Sequence, residues 1–340
     1  MKYLLLLLIC LCTIMTQAQE DIFRRHYKDA FGEINKMLNN KDTVNFCKAV
    51  FLTENAYCDN KMNITDFDEY IEICSLMCDE IAKSENIVYT EKDKERAMAQ
   101  CAAFVFMTDS VVMVTDEGVK IRPPFSYNSE DFAGQKEWSN TFVSTLMQTQ
   151  KGNCHSLPYL YKIIMNELGY ESHLALAPNH IYIKANNKKV GWYNIELTCG
   201  DFPTDAWLMA SGYIHTNAIR NGTYMRALSE KESVAMTLVD LAQGYQAKFG
   251  IEDGSFMLMC CNTALKHFPN YINALLLKGE ILTELYRKSE DPELMSQMTE
   301  RYTHIHELGY RKMPDEMYMK WLDTLKDNTD SRMKSVIVKK

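Results

Sequence analysis

Between residues 151 and 198 the chain carries a cysteine, a histidine and a glutamate in the order nucleophile, base, orienter. They sit in Lys151-Gly152-Asn153-Cys154, in Pro178-Asn179-His180 and in the run from Trp192 through Asn194 and Glu196 to Thr198. A thiol that attacks a carbonyl needs an imidazole to take its proton, a polar group to fix that imidazole, and donors for the oxyanion. Cys154 is expected at or just before a helix N-terminus, where free N–H groups and the helix dipole favour a thiolate. Pro158 lacks an N–H, which allows that helix to begin at Ser156 rather than Asn153. Gly152 permits a tight turn and close backbone approach. Glu196 lies sixteen residues beyond His180, across an expected hairpin, where it would hold the productive tautomer. Asn194, on the same strand face, is the alternative orienter. For the oxyanion, the Cys154 N–H is the default donor, and Gln148 or Gln150 is expected to supply the second.

The elements that must position these groups can be read from periodicity. Leu157, Leu160, Tyr161, Ile164 and Leu168 form the apolar face of the helix after Cys154, with Gly169 as its C′ residue. A helix from Trp138 to Met147 leads into the Cys154 turn. Strands are expected over His173–Ala177, His180–Ala185 and Gly191–Leu197, the last two joined by the turn Asn186–Lys189. The segment Gly200–Gly212 should be a loop over the site, with Trp192, Trp207 and Tyr213 as core or cleft walls. Upstream, residues 21–108 read as helical: Tyr70, Ile73, Cys74, Met77 and Ile81 make one apolar stripe, and Thr90 with Asp93 opens a helix through Phe106. Their charged residues read as a solvated face. Pro123-Pro124 marks a boundary or surface loop.

The Gly-x-Cys before a helix, the His opening a strand, and then Trp192, Glu196 and Thr198 resemble the transglutaminase-like superfamily of papain-like fold. That resemblance implies Cys154 as nucleophile and His180 as base, with Glu196 in the place of the family's usual Asp. Gln148, six residues before Cys154, resembles the papain-type oxyanion glutamine. From Ser229 onward helices return. Ala264-Leu265, Phe268-Pro269 and Asn273-Ala274, followed by Leu277 and Gly279, resemble a junction between tetratricopeptide-type repeats; an ordinary helical bundle is the other reading. The expected fold class is therefore α+β: a papain-like, transglutaminase-like core (116–225) between an N-terminal helical region (19–115) and a TPR-like helical region (226–326), with a flexible tail (327–340).

Residues 1–18 read as a secretory signal peptide: Lys2, an apolar run from Leu4 to Met15, and Thr16-Gln17-Ala18 before the cleavage point. No later stretch reaches the roughly 20 apolar residues of a membrane span, so a periplasmic or secreted protein is expected. The formal net charge of −8, with no basic cluster, argues against nucleic acid as a partner. Nine of the eleven cysteines lie beyond the signal segment; pairing eight would leave Cys154 as the odd thiol, although several read equally well as buried thiols. Zinc held by Cys154, His155, His180 and Cys199 is a weaker alternative, because that set has no Cys-x-x-Cys or His-x-x-x-His pair. No cofactor motif and no EF-hand spacing for calcium occurs.

Two functions follow. One is an exported thiol enzyme acting on peptide or protein amides, with hydrolysis favoured over crosslinking because nothing builds a second, amine-binding cleft. The other is a non-catalytic scaffold whose C-terminal helices bind a peptide or protein partner.

Overall fold

Four helices lead the chain: α1 (Lys2–Leu38), α2 (Phe46–Tyr57), α3 (Ile64–Ser84) and α4 (Lys94–Thr108). The computed structural model describes residues 2–84, 88–115, 118–312, 314, 316 and 317, with the side chains of 2–19 and 113–115 excepted. The expected tail lies outside these, and so do the side chains of the expected signal segment. Helix makes up 59% and strand 11% of the structure, a mixed α+β arrangement in which the sheets are small. Among the described residues no helix is long and apolar enough to cross a membrane.

The expected cap at Asp93 takes another form. Its carboxylate makes no cap bond; instead it accepts from Tyr89, Arg96 and the Lys188 N–H, tying α4 to the turn that follows the central strand of the main sheet. In α3 the stripe is narrower than expected, with Cys74 buried and Ile73 56% exposed.

An antiparallel hairpin follows, β1 (Val111–Thr115) on β2 (Gly118–Arg122). The short strand β3 (Ser126–Tyr127) then runs on to a 3-10 turn at Trp138–Thr141, helix α5 (Val143–Thr149) and strand β4 (Lys151–Gly152), which pairs in parallel with β3. The single helix expected over Trp138–Met147 is thus split at Phe142, whose backbone is extended. The break has a physical partner: the Glu54 carboxylate of α2 accepts from the Val143 and Ser144 N–H groups at 2.7 and 2.9 Å and caps α5 from outside.

Helix α6 (Ser156–Glu167) is central, with every residue from Ser156 to Met165 buried. It packs against α3, α4, α5 and the main sheet, so a one-sided apolar pattern gives way to burial all round. Its buried cation, Lys162, is satisfied by the Ser172 carbonyl at 2.7 Å and the Glu230 carboxylate at 2.5 Å. The main sheet is an antiparallel meander of β5 (His173–Ala177), β6 (His180–Asn187) and β7 (Gly191–Ile195). Asn179 takes φ 55° in the two-residue turn that sets Ala177 opposite His180. The segment after β7 contains α7 (Asp205–Ser211) and is followed by α8 (Thr216–Arg220).

Four more helices follow: α9 (Glu230–Phe249), α10 (Ser255–His267), α11 (Ile272–Ser289) and α12 (Pro292–Glu307). Ser229 and Glu232 start α9 with a reciprocal capping box. Each helix packs on the next, and α9 also packs on α1 and α2. At Gly279 a Cβ would meet the Tyr302 ring at 3.1 Å, so the glycine admits the close approach of α12. One continuous apolar core, from Tyr27 through Leu160 to Leu308, joins all these parts. The boundaries expected near 115 and 226 therefore run through a shared interior.

Candidate active site

Cys154 occupies the turn between β4 and α6. Asn153 builds that turn: its Oδ1 accepts from the His155 and Ser156 N–H groups, each at 3.0 Å, and its amide donates to the Phe132 carbonyl at 2.8 Å. The helix begins at Ser156, two residues beyond the thiol. Cys154 is partly exposed, and its Sγ donates to the Asn179 carbonyl at 3.8 Å, across to the turn that delivers His180.

His180, buried at the start of β6, has its Nε2 2.5 Å from Glu196 Oε2, and its ring also hydrogen-bonds the Cys154 side chain. The structure thus brings Cys154, His180 and Glu196 together. Strand register explains how. Lys184 pairs with Asn194 and Ile183 with Ile195, so Glu196 follows just past the paired region, on the His180 face, and the longer glutamate side chain spans the diagonal. Thr198 holds that carboxylate in turn, its N–H and hydroxyl donating to Glu196 Oε1 at 3.0 and 2.7 Å. Burial pushes His180 down, but the Glu196 charge and the hydrogen bonds with Cys154 and Glu196 outweigh it and raise the imidazole to about 10. Burial likewise pushes Glu196 up; the His180 charge and the donors from His180 and Thr198 reverse this and hold it below the usual carboxylate range.

Asn194 is not the orienter. It accepts from Lys184 and donates to Asp205 and the Pro203 carbonyl, contacts that fasten the segment after β7. The expected glutamines are also misplaced. Gln148 is exposed near the end of α5. Gln150 turns the chain at φ 57° into β4, and neither lines the cleft at Cys154. Two other glutamines do, Gln243 of α9 and Gln135; the latter lies on the loop fastened by Asp131, whose carboxylate accepts from the Lys136 and Glu137 N–H groups. No spacing signal pointed to it.

That cleft, about 650 Å³, holds Cys154 and His180 together with Gln135 and Trp138, and it extends over Gln243 of α9, Asn273, Leu276 and Glu280 of α11, and Tyr302 of α12. The segment from Gly200 to Gly212, expected to cover the site, does not line it. Trp192, Trp207 and Tyr213 are 53%, 36% and 44% exposed, so none is a core wall. Chain connectivity explains this: Glu196 pairs back on Asp201, which turns the segment away before α7 begins.

His155, beside the thiol, is committed elsewhere. Its Nδ1 lies 3.0 Å from the Thr141 carbonyl and its Nε2 3.2 Å from Asp240 Oδ1 on α9. Asp240 Oδ2 also accepts from the Tyr159 hydroxyl at 2.9 Å. The zinc alternative is therefore not assembled, since both His155 nitrogens and His180 Nε2 are taken by other partners. Among the described residues no three metal-ligating side chains converge, and Cys47, Cys58, Cys74, Cys78, Cys154, Cys260 and Cys261 are thiols, which favours the thiol reading over the pairing of eight cysteines.

No family model, no curated protein and no solved structure matches this chain.

Proposed function

We propose that this protein is an exported, transglutaminase-like thiol enzyme that cleaves peptide or protein amide bonds through a covalent thioester on Cys154. The observation that carries the reading is the Cys154–His180–Glu196 series at the edge of an open cleft. In the proposed reaction His180 takes the thiol proton and the sulfur attacks the amide carbonyl carbon. Oxyanion charge falls to the Cys154 N–H and to the Gln135 carboxamide, both from residues that line the cleft. Collapse breaks the C–N bond, and His180 returns the proton to the departing amine. Water, deprotonated by the same imidazole, then attacks the thioester and releases the acid. Glu196 stays ionised throughout and keeps the imidazole oriented, stabilising its charged form.

The test is alkylation and turnover together. Iodoacetamide should modify Cys154 faster than the buried thiols at near-neutral pH, and His180→Ala should slow it by at least about tenfold. Peptide and amide libraries should leave an acyl adduct on Cys154, trapped by mass spectrometry after acid quench. A thiol indifferent to His180, with no adduct from any library, would sink the enzyme and favour the scaffold, with the same cleft acting as a peptide groove.

A further inference from the structure

We propose that His155, clamped between the Thr141 carbonyl and Asp240 of α9, is a second and permanently charged imidazole beside Cys154, a positioning residue that favours the thiolate without exchanging protons with it. The inference rests on Cys154 being the nucleophile. It begins from donors and acceptors. A backbone carbonyl only accepts, so Nδ1, 3.0 Å from Thr141 O, must carry a hydrogen. At Nε2 the partner is a carboxylate, 3.2 Å away. One proton lies between them, and imidazole is the stronger base by about 2.5 pH units. The proton therefore belongs to the ring, and both nitrogens are donors.

The surroundings agree. Asp240 is itself steadied by the Tyr159 hydroxyl, and the Tyr159 ring lies against the His155 ring with centroids 4.0 Å apart. The titratable groups facing His155 are Asp240 from α9, Tyr159 from α6, Glu54 from α2 and Cys154 itself. Burial works against the cation, but Asp240, the Thr141 carbonyl and an ionised Cys154 prevail and raise His155 above the ordinary histidine range. Because neither nitrogen has a lone pair to offer, His155 cannot serve as the base. Its contribution is a fixed charge on the residue next to the sulfur, held in place by α9, a helix well beyond the stretch that carries the triad. His180 moves protons; His155 holds charge.

Two measurements test this on the full chain. The first is the 15N shift of the His155 ring from about pH 5 to pH 9. Both nitrogens should show the protonated signature at pH 7, and a neutral-imidazole signature there would overturn the inference without touching the triad. The second is the pH profile of Cys154 alkylation, read on its own peptide by mass spectrometry. Asp240→Asn, which keeps the shape but removes the charge, should move the profile up by about one pH unit, about a tenfold loss of rate at pH 6. Tyr159→Phe, which removes only a hydrogen bond, should shift it much less. If folded Asp240→Asn protein, checked by its melting temperature, keeps the wild-type profile while His180→Ala slows alkylation, His155 has no such role and the triad stands. If both variants are silent, the triad reading fails as well.

Discussion

The Glu196 carboxylate accepts three hydrogen bonds, one from His180 and two from Thr198, and each makes a different demand on a replacement. Glutamine in its place would present an N–H to His180 or turn that N–H onto Thr198. Either choice disturbs the tautomer and withdraws the charge that stabilises the imidazolium. Glu196→Gln should lower turnover by about 10²- to 10⁴-fold, measured as kcat on whichever amide the adduct screen returns. Thr198→Val should cost about tenfold and leave KM largely unchanged. The same pair predicts a pH window. A raised histidine adds stability that is complete below its ordinary value of about 6.5 and fades as pH climbs through about 10. A lowered glutamate adds stability that is present above about 4.5 and lost as pH falls. The melting-temperature gap between wild type and Glu196→Gln should therefore be widest between about pH 4.5 and 6.5, and should shrink toward both ends. Cys154, His180 and Glu196 were legible because they lie within one short stretch of chain, and hairpin register decides which strand side chains meet. Gln135 and Asp240 were not, because each reaches the site by tertiary packing from outside that stretch of chain.

Among the elements, α5 shows how a helix boundary can be set from another part of the chain. Apolar spacing supported one helix from Trp138 onward, yet the Glu54 carboxylate caps α5 at Val143 and Ser144 and leaves Phe142 extended. The sequence pattern places Glu54 with its charged neighbours on a solvated face. It is buried, and that burial, only partly offset by the Ser144 and Val143 donors, lifts it to about 7. The sign follows directly: between about 4.5 and about 7 the folded protein holds a proton that the unfolded chain has lost, so this group makes the fold less stable as pH rises. Glu54→Gln removes the titration. Denaturant melts of the two proteins should show the variant gaining on wild type across that interval and running parallel above it. By contrast α6, β5, β6 and β7 stand close to where periodicity put them, because local pattern and tertiary burial point the same way there.

For the molecule as a whole, the decisive packing is α9 on α1 and α2, while the Lys162–Glu230 pair ties the start of α9 to α6. A core excised at 116–225 should fail to fold. So should a chain ending at Leu228, since either cut opens the apolar interior that runs from Tyr27 to Leu308. Circular dichroism and solubility of the two fragments would check this, and a cooperative melt from either would refute it. The sequence suggested separable regions because composition and period change near their borders, whereas the shared core depends on which helix faces find each other. The Asp240 contact adds an order of events. The turn bearing the thiol can form early from nearby residues, but the clamp on His155 waits for a helix far downstream, and closing that long loop is slow relative to local structure. The sulfur should thus gain its reactivity last, in step with the final docking of α9. A growing or half-folded chain would carry a dormant thiol, and the burst of alkylation in a refolding trace would time the moment the molecule becomes whole.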